Sequence, residues 1–176
     1  SSSTPQYYYF FYDIEVVTPL SVPCFNSFGA SLFVQNPDPN FSYSWQEINS
    51  PGVTVATGIQ ANNLYAGTYI LLAGYTDSLG VTYTGCTDTS QPVIIVQPSA
   101  INISAVLDDV DCYGNATGKI TAGQTTGGTS PYILQWNPGG VTGSVFNNLT
   151  AGTYTLMITD ANNCQEVDTF EVTQPQ

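Results

Sequence analysis

Histidine is absent from this 176-residue chain, and Lys119 is the single basic side chain against thirteen acidic ones. Without imidazole the common hydrolytic triads and histidine-based metal sites are excluded. A net charge of −12 repels phosphate backbones and anionic lipid headgroups, which excludes nucleic acid and acidic membrane surfaces as partners. No apolar run approaches the roughly 18 residues that membrane insertion by a helix requires. The longest, such as Val93–Val96 and Tyr69–Ala73, have the length of strands. No phosphate-binding loop or dinucleotide fingerprint is present. Charged residues make up only 8% of the chain, so solubility rests on Thr, Ser, Asn and Gln. The opening Ser1-Ser2-Ser3-Thr4-Pro5 has neither the basic residues nor the apolar core of a signal peptide, and the chain reads as a mature or excised segment.

What is present is a repeat. Asn63-Leu64-Tyr65-Ala66-Gly67-Thr68-Tyr69 returns as Asn148-Leu149-Thr150-Ala151-Gly152-Thr153-Tyr154. Each run is preceded by one tryptophan, Trp45 or Trp136, and further upstream by Cys24-Phe25-Asn26 or Cys112-Tyr113-Gly114. Each is followed by a second cysteine, Cys86 or Cys164, and by a strand closing on Gln97-Pro98 or Gln174-Pro175. Five landmarks in one order, twice, place a boundary near Pro98-Ser99. The organisation expected is an aromatic N-terminal strand or arm (1–12), a first module (13–98) and a second (99–176).

Both halves read as strands. Tyr154, Leu156 and Ile158 share one face of a period-2 run with threonines on the other, and Phe41–Trp45 and Tyr132–Trp136 are equivalent strands. Turn clusters rich in Gly, Pro and Asn separate them, among them Asn36–Asn40, Gly127–Pro131, Asn137–Gly140 and Asp160–Asn163. No window carries a helical period. The fold class expected is all-β, two tandem immunoglobulin-like β-sandwich modules. In the Leu-x-Ala-Gly-Thr-Tyr element the leucine should plug the core, the glycine supply the turn and the tyrosine enter the next strand, as in a tyrosine corner. Four cysteines in a chain of this composition point to an oxidising, extracytoplasmic compartment. They allow three connectivities; modularity favours Cys24–Cys86 and Cys112–Cys164, each loop contributing about 4 kcal/mol in the chain-entropy model.

The run Cys112–Ile120, then Gly127–Tyr132, Trp136, Asn148–Tyr154 and Asp160–Cys164, resembles the SprB-type repeat of long cell-surface adhesins of gliding Bacteroidota. The resemblance covers residues 100–175. Residues 13–98 are a divergent copy that keeps Cys24, Trp45, Ala66–Tyr69 and Cys86 but lacks the Gly-Gly-Thr-x-Pro-Tyr turn. The resemblance implies a structural repeat on a surface fibre or adhesin, with no catalytic residue to carry over.

Several residues invite a more specific reading. Asp108, Asp109 and Asp111 offer closely spaced oxygen ligands of the kind Ca²⁺ takes, beside the plainer reading of a solvated strand end in an acidic protein. Asp160 with Asn162 is a weaker cation candidate and a better turn-former. Asn40, Asn102, Asn115 and Asn148 match the Asn-x-Ser/Thr acceptor, and Ser78 stands in an Asp-Ser-Leu context resembling the O-glycosylation acceptor of Bacteroidota. Carboxylates are plentiful enough for glycoside hydrolysis, but a module this small has little room for a cleft, so a non-enzymatic role is expected. Tyr7-Tyr8-Tyr9-Phe10-Phe11-Tyr12 forms an uncharged aromatic run of high β propensity. It is either the first strand of the first module or a polymerisation strand donated to a neighbouring subunit. The function expected is a subunit or stalk segment of an extracellular filament built head-to-tail from copies of itself. The alternative is an adhesive module that binds polysaccharide or another cell surface.

Overall fold

The computed structural model describes residues 14–16, 21–50, 52–76 and 82–176, the side chains of 14–16, 76 and 82–88 excepted. The aromatic run Tyr7–Tyr12 and Ser78 lie outside the described residues. Fourteen strands and no helix are found among them. The chain divides into two units: one holds Asn26–Gln97 and the described residues up to Val22, the other Pro23–Phe25 and Pro98–Gln176.

In the first unit, β1 (Ile14–Val16), β2 (Phe28–Val34) and β5 (Gln60–Tyr65) form one antiparallel sheet in the order β1-β2-β5. The facing sheet runs β4 (Thr54–Thr57), β3 (Phe41–Glu47), β6 (Gly67–Thr76), with β7 (Thr82–Thr89) and β8 (Val93–Ile95) both pairing β6. In the second unit, β9 (Ala105–Asp108), β10 (Gly118–Ala122) and β12 (Val145–Leu149) make the sheet β12-β10-β9. Its companion is β11-β13-β14, from β11 (Ile133–Asn137), β13 (Gly152–Thr159) and β14 (Gln165–Val172). The first unit therefore places its first, second and fifth strands in one sheet and the rest in the other; the second unit, which lacks a counterpart of β4, places its first, second and fourth in one sheet and its third, fifth and sixth in the other. That is the strand order of an immunoglobulin-like sandwich.

Alternation along the strands builds each core. In β13 Tyr154, Leu156 and Ile158 are buried while their neighbours are not. With Ile120 from β10, Leu149 from β12, Trp136 from β11 and Val172 from β14 they close one core from both sheets. The first unit repeats the design with Leu32, Leu64, Trp45, Tyr69, Leu71 and Ile95. Both tryptophans are fully buried, a position that demands a partner for the indole N–H. Trp45 donates to the Gly58 carbonyl at 3.2 Å, between β4 and β5, and Trp136 to the Gly143 carbonyl at 2.9 Å, between β11 and β12. Phe146 stands edge-on to Tyr154 at 5.5 Å and tilted against Trp136 at 5.6 Å, so one aromatic group ties β11, β12 and β13 together.

The tyrosine corner occurs twice. Tyr69 donates to the Tyr65 carbonyl at 3.1 Å and Tyr154 to the Thr150 carbonyl at 2.9 Å, each four residues back. The motif's asparagine, Asn63 (φ 55°) or Asn148 (φ 59°), is left-handed, and its glycine has a positive φ in the second unit alone, at Gly152 (φ 159°). The asparagine sits where the pairing register slips, between Lys119↔Asn147 and Gly118↔Leu149 in the second unit. The resulting bulge turns the leucine that follows into the core. Asparagine tolerates this conformation better than other residues with a Cβ.

Tyr154→Phe should remove a hydrogen bond without changing the packed ring. The expected loss is about 0.5–1.5 kcal/mol of unfolding free energy, read from the urea midpoint by tryptophan fluorescence. Val106→Thr on the exposed face of β9 should shift it by less than about 0.5 kcal/mol.

Candidate functional site

The sequence before the first core strand of each module crosses the module's last residues in the same way twice. The Val22 amide donates to the Val96 carbonyl at 3.0 Å and the Val110 amide to the Thr173 carbonyl at 3.0 Å. Four residues on, the Asn26 amide donates to Gln97 Oε1 at 2.9 Å and the Gly114 amide to Gln174 Oε1 at 3.0 Å. Asn26 (φ 53°) and Gly114 (φ 77°) are both left-handed, which is why this position takes asparagine or glycine. Val22 and Val110 are buried in their respective cores. Between these fixed points lie Pro23-Cys24-Phe25 in one copy and Asp111-Cys112-Tyr113 in the other. The two Gln-Pro closings of the sequence are thus the clasps that hold the two Cys-aromatic segments.

The cysteines do not pair within modules. Cys24 is bonded to Cys164, with Cα atoms 5.6 Å apart and a sequence separation of 140, and Cys112 is a free, exposed thiol. The expected Cys24–Cys86 and Cys112–Cys164 bridges are corrected accordingly; the Cys86 side chain lies outside the described residues. The physical reason is local. Pro23–Phe25 belongs to the second unit, so the Cys24 thiol is presented to that unit's turn at Cys164. Closing a loop of this length contributes about 5 kcal/mol in the chain-entropy model. The sequence held one signal for this, the unequal spacing Thr159–Cys164 against Thr76–Cys86, which shows that the two second cysteines stand in different settings.

Asp160 organises the turn that holds Cys164. It is the one buried charged residue among those described, 4% exposed. Its Oδ1 accepts from the Asn162 amide at 2.8 Å and from the Cys164 amide at 2.9 Å, and its Oδ2 accepts from the Thr129 amide at 2.8 Å. Burial pushes its pKa up, but the three amides of Cys164, Thr129 and Asn162 stabilise the anion and win, so the carboxyl titrates below its ordinary range. Asn162 Nδ2 adds bonds to the Thr129 hydroxyl at 3.1 Å and to the Pro23 carbonyl at 3.2 Å. Gly128 is required here: at φ +59° a Cβ would lie 2.7 Å from Ile101 and 2.9 Å from Asp160 Oδ2. The Gly-Gly-Thr-x-Pro-Tyr run is therefore the lid of the Asp160 turn, closed by the Tyr132 hydroxyl on the Gly127 carbonyl at 2.6 Å.

The three aspartates near Cys112 are not gathered around one point. Asp108 is paired with Lys119 at 2.7 Å. Asp109 accepts from the Thr173 amide at 2.7 Å, a bond that lowers its pKa. Asp111 uses its amide toward the Thr117 hydroxyl. No cluster of three metal-ligating side chains occurs among the described residues. The acceptor asparagines Asn40, Asn102, Asn115 and Asn148 are all exposed. The side-chain nitrogens of Asn40 and Asn102 are engaged, with Asp38 and the Ala100 carbonyl respectively. An open groove of about 740 Å³ in the first unit is lined chiefly by Pro37, Phe41, Tyr43, Thr57, Ile59 and Leu72.

No family model and no curated protein matches the sequence. Solved structures similar in fold include the amphioxus IgVJ-C2 molecule, 13% identical over 88% of this chain and 99% of that one, with a TM-score of 0.35. Another is a C-terminal fragment of intimin in complex with the intimin-binding domain of its translocated receptor, 10% identical over 92% of this chain and 63% of that one, TM-score 0.44. A third comprises the fibronectin(III)-like modules of Clostridium thermocellum CbhA, 12% identical over 92% and 94%, TM-score 0.32. The assignment to immunoglobulin-like sandwiches stands on the strand order and the paired tyrosine corners.

Asp160→Asn places an N–H₂ opposite the Thr129 amide and should cost about 1–3 kcal/mol near neutral pH. Because the folded pKa is depressed, the carboxylate's contribution is complete above the ordinary aspartate pKa and is lost as pH falls through the folded value. Urea titrations of the two forms should therefore begin to approach each other below about pH 4 and meet only below the depressed folded value.

Proposed function

We propose that this chain is a non-enzymatic structural segment of an extracellular filament or stalk. The observation that carries the reading is the Cys24–Cys164 bond, whose two cysteines come from successive copies of the repeat. A bridge of that kind adds a second covalent link to the backbone that already joins successive copies, which suits a load-bearing fibre better than an isolated binding module. A disulfide also persists only in an oxidising compartment, which supports an extracytoplasmic location. The likeness of residues 100–175 to the SprB-type repeat supports a surface-fibre setting, and the paucity of charge suits a rod that relies on uncharged polar groups for solubility. The aromatic run Tyr7–Tyr12 supplies the chemistry of a strand that pairs with a neighbouring copy by β-augmentation.

A second reading, adhesion, is favoured by the open groove beside Phe41 and Tyr43. Its walls are aromatic and uncharged apart from Asp38, so a neutral polysaccharide suits it better than an acidic one.

Electron microscopy of the purified full chain beside a form lacking residues 1–12 separates the two. Regular filaments that vanish on truncation are the expected result. Single particles in both samples, together with retention on immobilised neutral glycan that Phe41→Ala weakens at least tenfold while the urea midpoint shows the variant folded, would replace the filament by the adhesive module.

A further inference from the structure

The turn between β2 and β3 gathers hydrogen-bond donors around one peptide bond, Asp38–Pro39. No other aspartate in the chain precedes a proline. The Phe41 amide closes the turn by donating to the Asp38 carbonyl at 3.1 Å, with proline in the position that favours such a turn. The Tyr43 hydroxyl accepts from the Asp38 amide at 2.9 Å and donates to the same Asp38 carbonyl at 3.4 Å. Burial, with the Asp38 charge adding to it, raises the pKa of this phenol against the opposing pull of the Asp38 backbone bond, so the donated proton stays in place. The carbonyl oxygen of the Asp38–Pro39 bond thus takes donors from both Phe41 and Tyr43. In the side chain, Oδ1 accepts from the Asn40 amide at 2.8 Å and from Asn40 Nδ2 at 2.9 Å, while Oδ2 has no hydrogen-bond partner among the described residues. Pro39 is exposed, and both residues line the open groove of the first unit, so water reaches the bond.

We propose that the folded chain cuts itself at Asp38–Pro39. The Asp38 carboxyl acts in its protonated form, which mild acid supplies. Its Oδ2 bonds to the backbone carbonyl carbon of the same residue and closes a cyclic anhydride. The carbon–nitrogen bond to Pro39 breaks, and the carboxyl proton goes to the departing nitrogen. Water then opens the anhydride, leaving a carboxyl terminus at Asp38 and a free imino terminus at Pro39, so the net change is hydrolysis of the bond. Negative charge gathers on the Asp38 carbonyl oxygen during the attack, where the Phe41 N–H and the Tyr43 O–H already stand. Holding Oδ1 on Asn40 restricts the side chain and leaves Oδ2 as the nucleophile. The competing attack, by the next backbone nitrogen on the side-chain carboxyl, is closed because proline carries no N–H. Tyr43 is the one titratable side chain bonded to Asp38 among the described residues. The cut does not take the molecule apart. The piece ending at Asp38 keeps β2 paired to β5, and its Cys24 remains bonded to Cys164. The inference is independent of the filament and adhesive readings.

The test incubates the full oxidised chain at the lowest pH at which tryptophan fluorescence reports it folded, beside a sample unfolded in urea at the same pH. Reducing gels should show pieces 1–38 and 39–176, while non-reducing gels keep a single band whose intact mass has gained a water. Sequencing of the larger piece should begin at Pro39. The folded chain is expected to cut at least about tenfold faster than the unfolded one, at a rate independent of protein concentration. Asp38→Asn keeps the Oδ1 acceptor for Asn40 but lacks the acid oxygen, and should stop the cut. Tyr43→Phe should slow it about tenfold in the folded chain and leave the rate in urea unchanged. Equal rates in folded and unfolded wild type would overturn the proposal, since the bare Asp–Pro bond would then account for the cleavage. So would an uncut chain, a cut at another bond, or a folded Tyr43→Phe variant that cuts as fast as the wild type.

Discussion

The bond between Cys24 and Cys164 is the constraint on which the path of Pro23–Phe25 depends, because it joins them to a turn at a sequence separation of 140. Each sandwich has its own core and its own pair of sheets, so hydrophobic burial suffices to fold either. Burial does not, however, fix where Pro23–Phe25 goes. Those residues follow Val22, which is committed to the first core, yet they belong to the second unit. The disulfide holds them there, and the Asp160 turn holds the disulfide. A buried carboxylate with three amide donors is a rigid object, since each donor left unpaired would cost about 1–3 kcal/mol. Precision at Cys164 thus comes from electrostatics, and covalency converts it into a constraint on the unfolded chain.

The two copies reach the same geometry with different side chains. Asn26 and Gly114 share a left-handed backbone and the same amide-to-glutamine bond, although one carries a Cβ and the other does not. Val96 and Thr173 present equivalent carbonyls. Trp45 and Trp136 both satisfy their indoles on a glycine carbonyl two residues before β5 or β12, at sequence distances of 13 and 7 residues. The longer interval in the first unit accommodates β4, a strand absent from the corresponding place in the second. What persists between copies is the pairing of backbone donors and acceptors, whose cost of burial unpaired is high, while side chains of similar volume exchange at little cost.

The fold was legible because its determinants are local and periodic. Tyr154, Leu156 and Ile158 announce a half-buried strand, and Leu149 with Tyr154 announces the corner, without reference to distant residues. The clasp formed by Gln97 and Gln174 was visible only as a repeated Gln-Pro, since its partners lie 71 and 60 residues away. The disulfide was misread for a related reason. Modularity argues from loop length, and loop-closure entropy grows only with the logarithm of that length, so a 140-residue loop is scarcely harder to close than one half as long. Presentation of the thiol decided the pairing, and presentation depends on where three residues depart from their own module. The role of Asp160 was half legible: its spacing to Asn162 and Cys164 marks a turn, but its burial follows from the lid around Gly128, thirty-two residues earlier.

Connectivity also fixes how the chain carries tension. A pull applied before Cys24 and after Cys164 passes through the sulfur–sulfur bond, and residues 25–163 lie off that path. They include every strand from β2 to β13. Among the described strands only β1 and β14 lie on it, paired to β2 and β13; peeling β14 withdraws Val172 and Phe170 from the second core, while the strands that carry Trp45 and Trp136 stay off the path. The residues enclosed between the two cysteines would add about 460–500 Å of extension only after reduction. The bridges first expected, each confined to one module, would have left the segment between Cys86 and Cys112 under tension. Bonding across successive copies removes that segment from the path, and the connection between modules is protected along with the modules themselves.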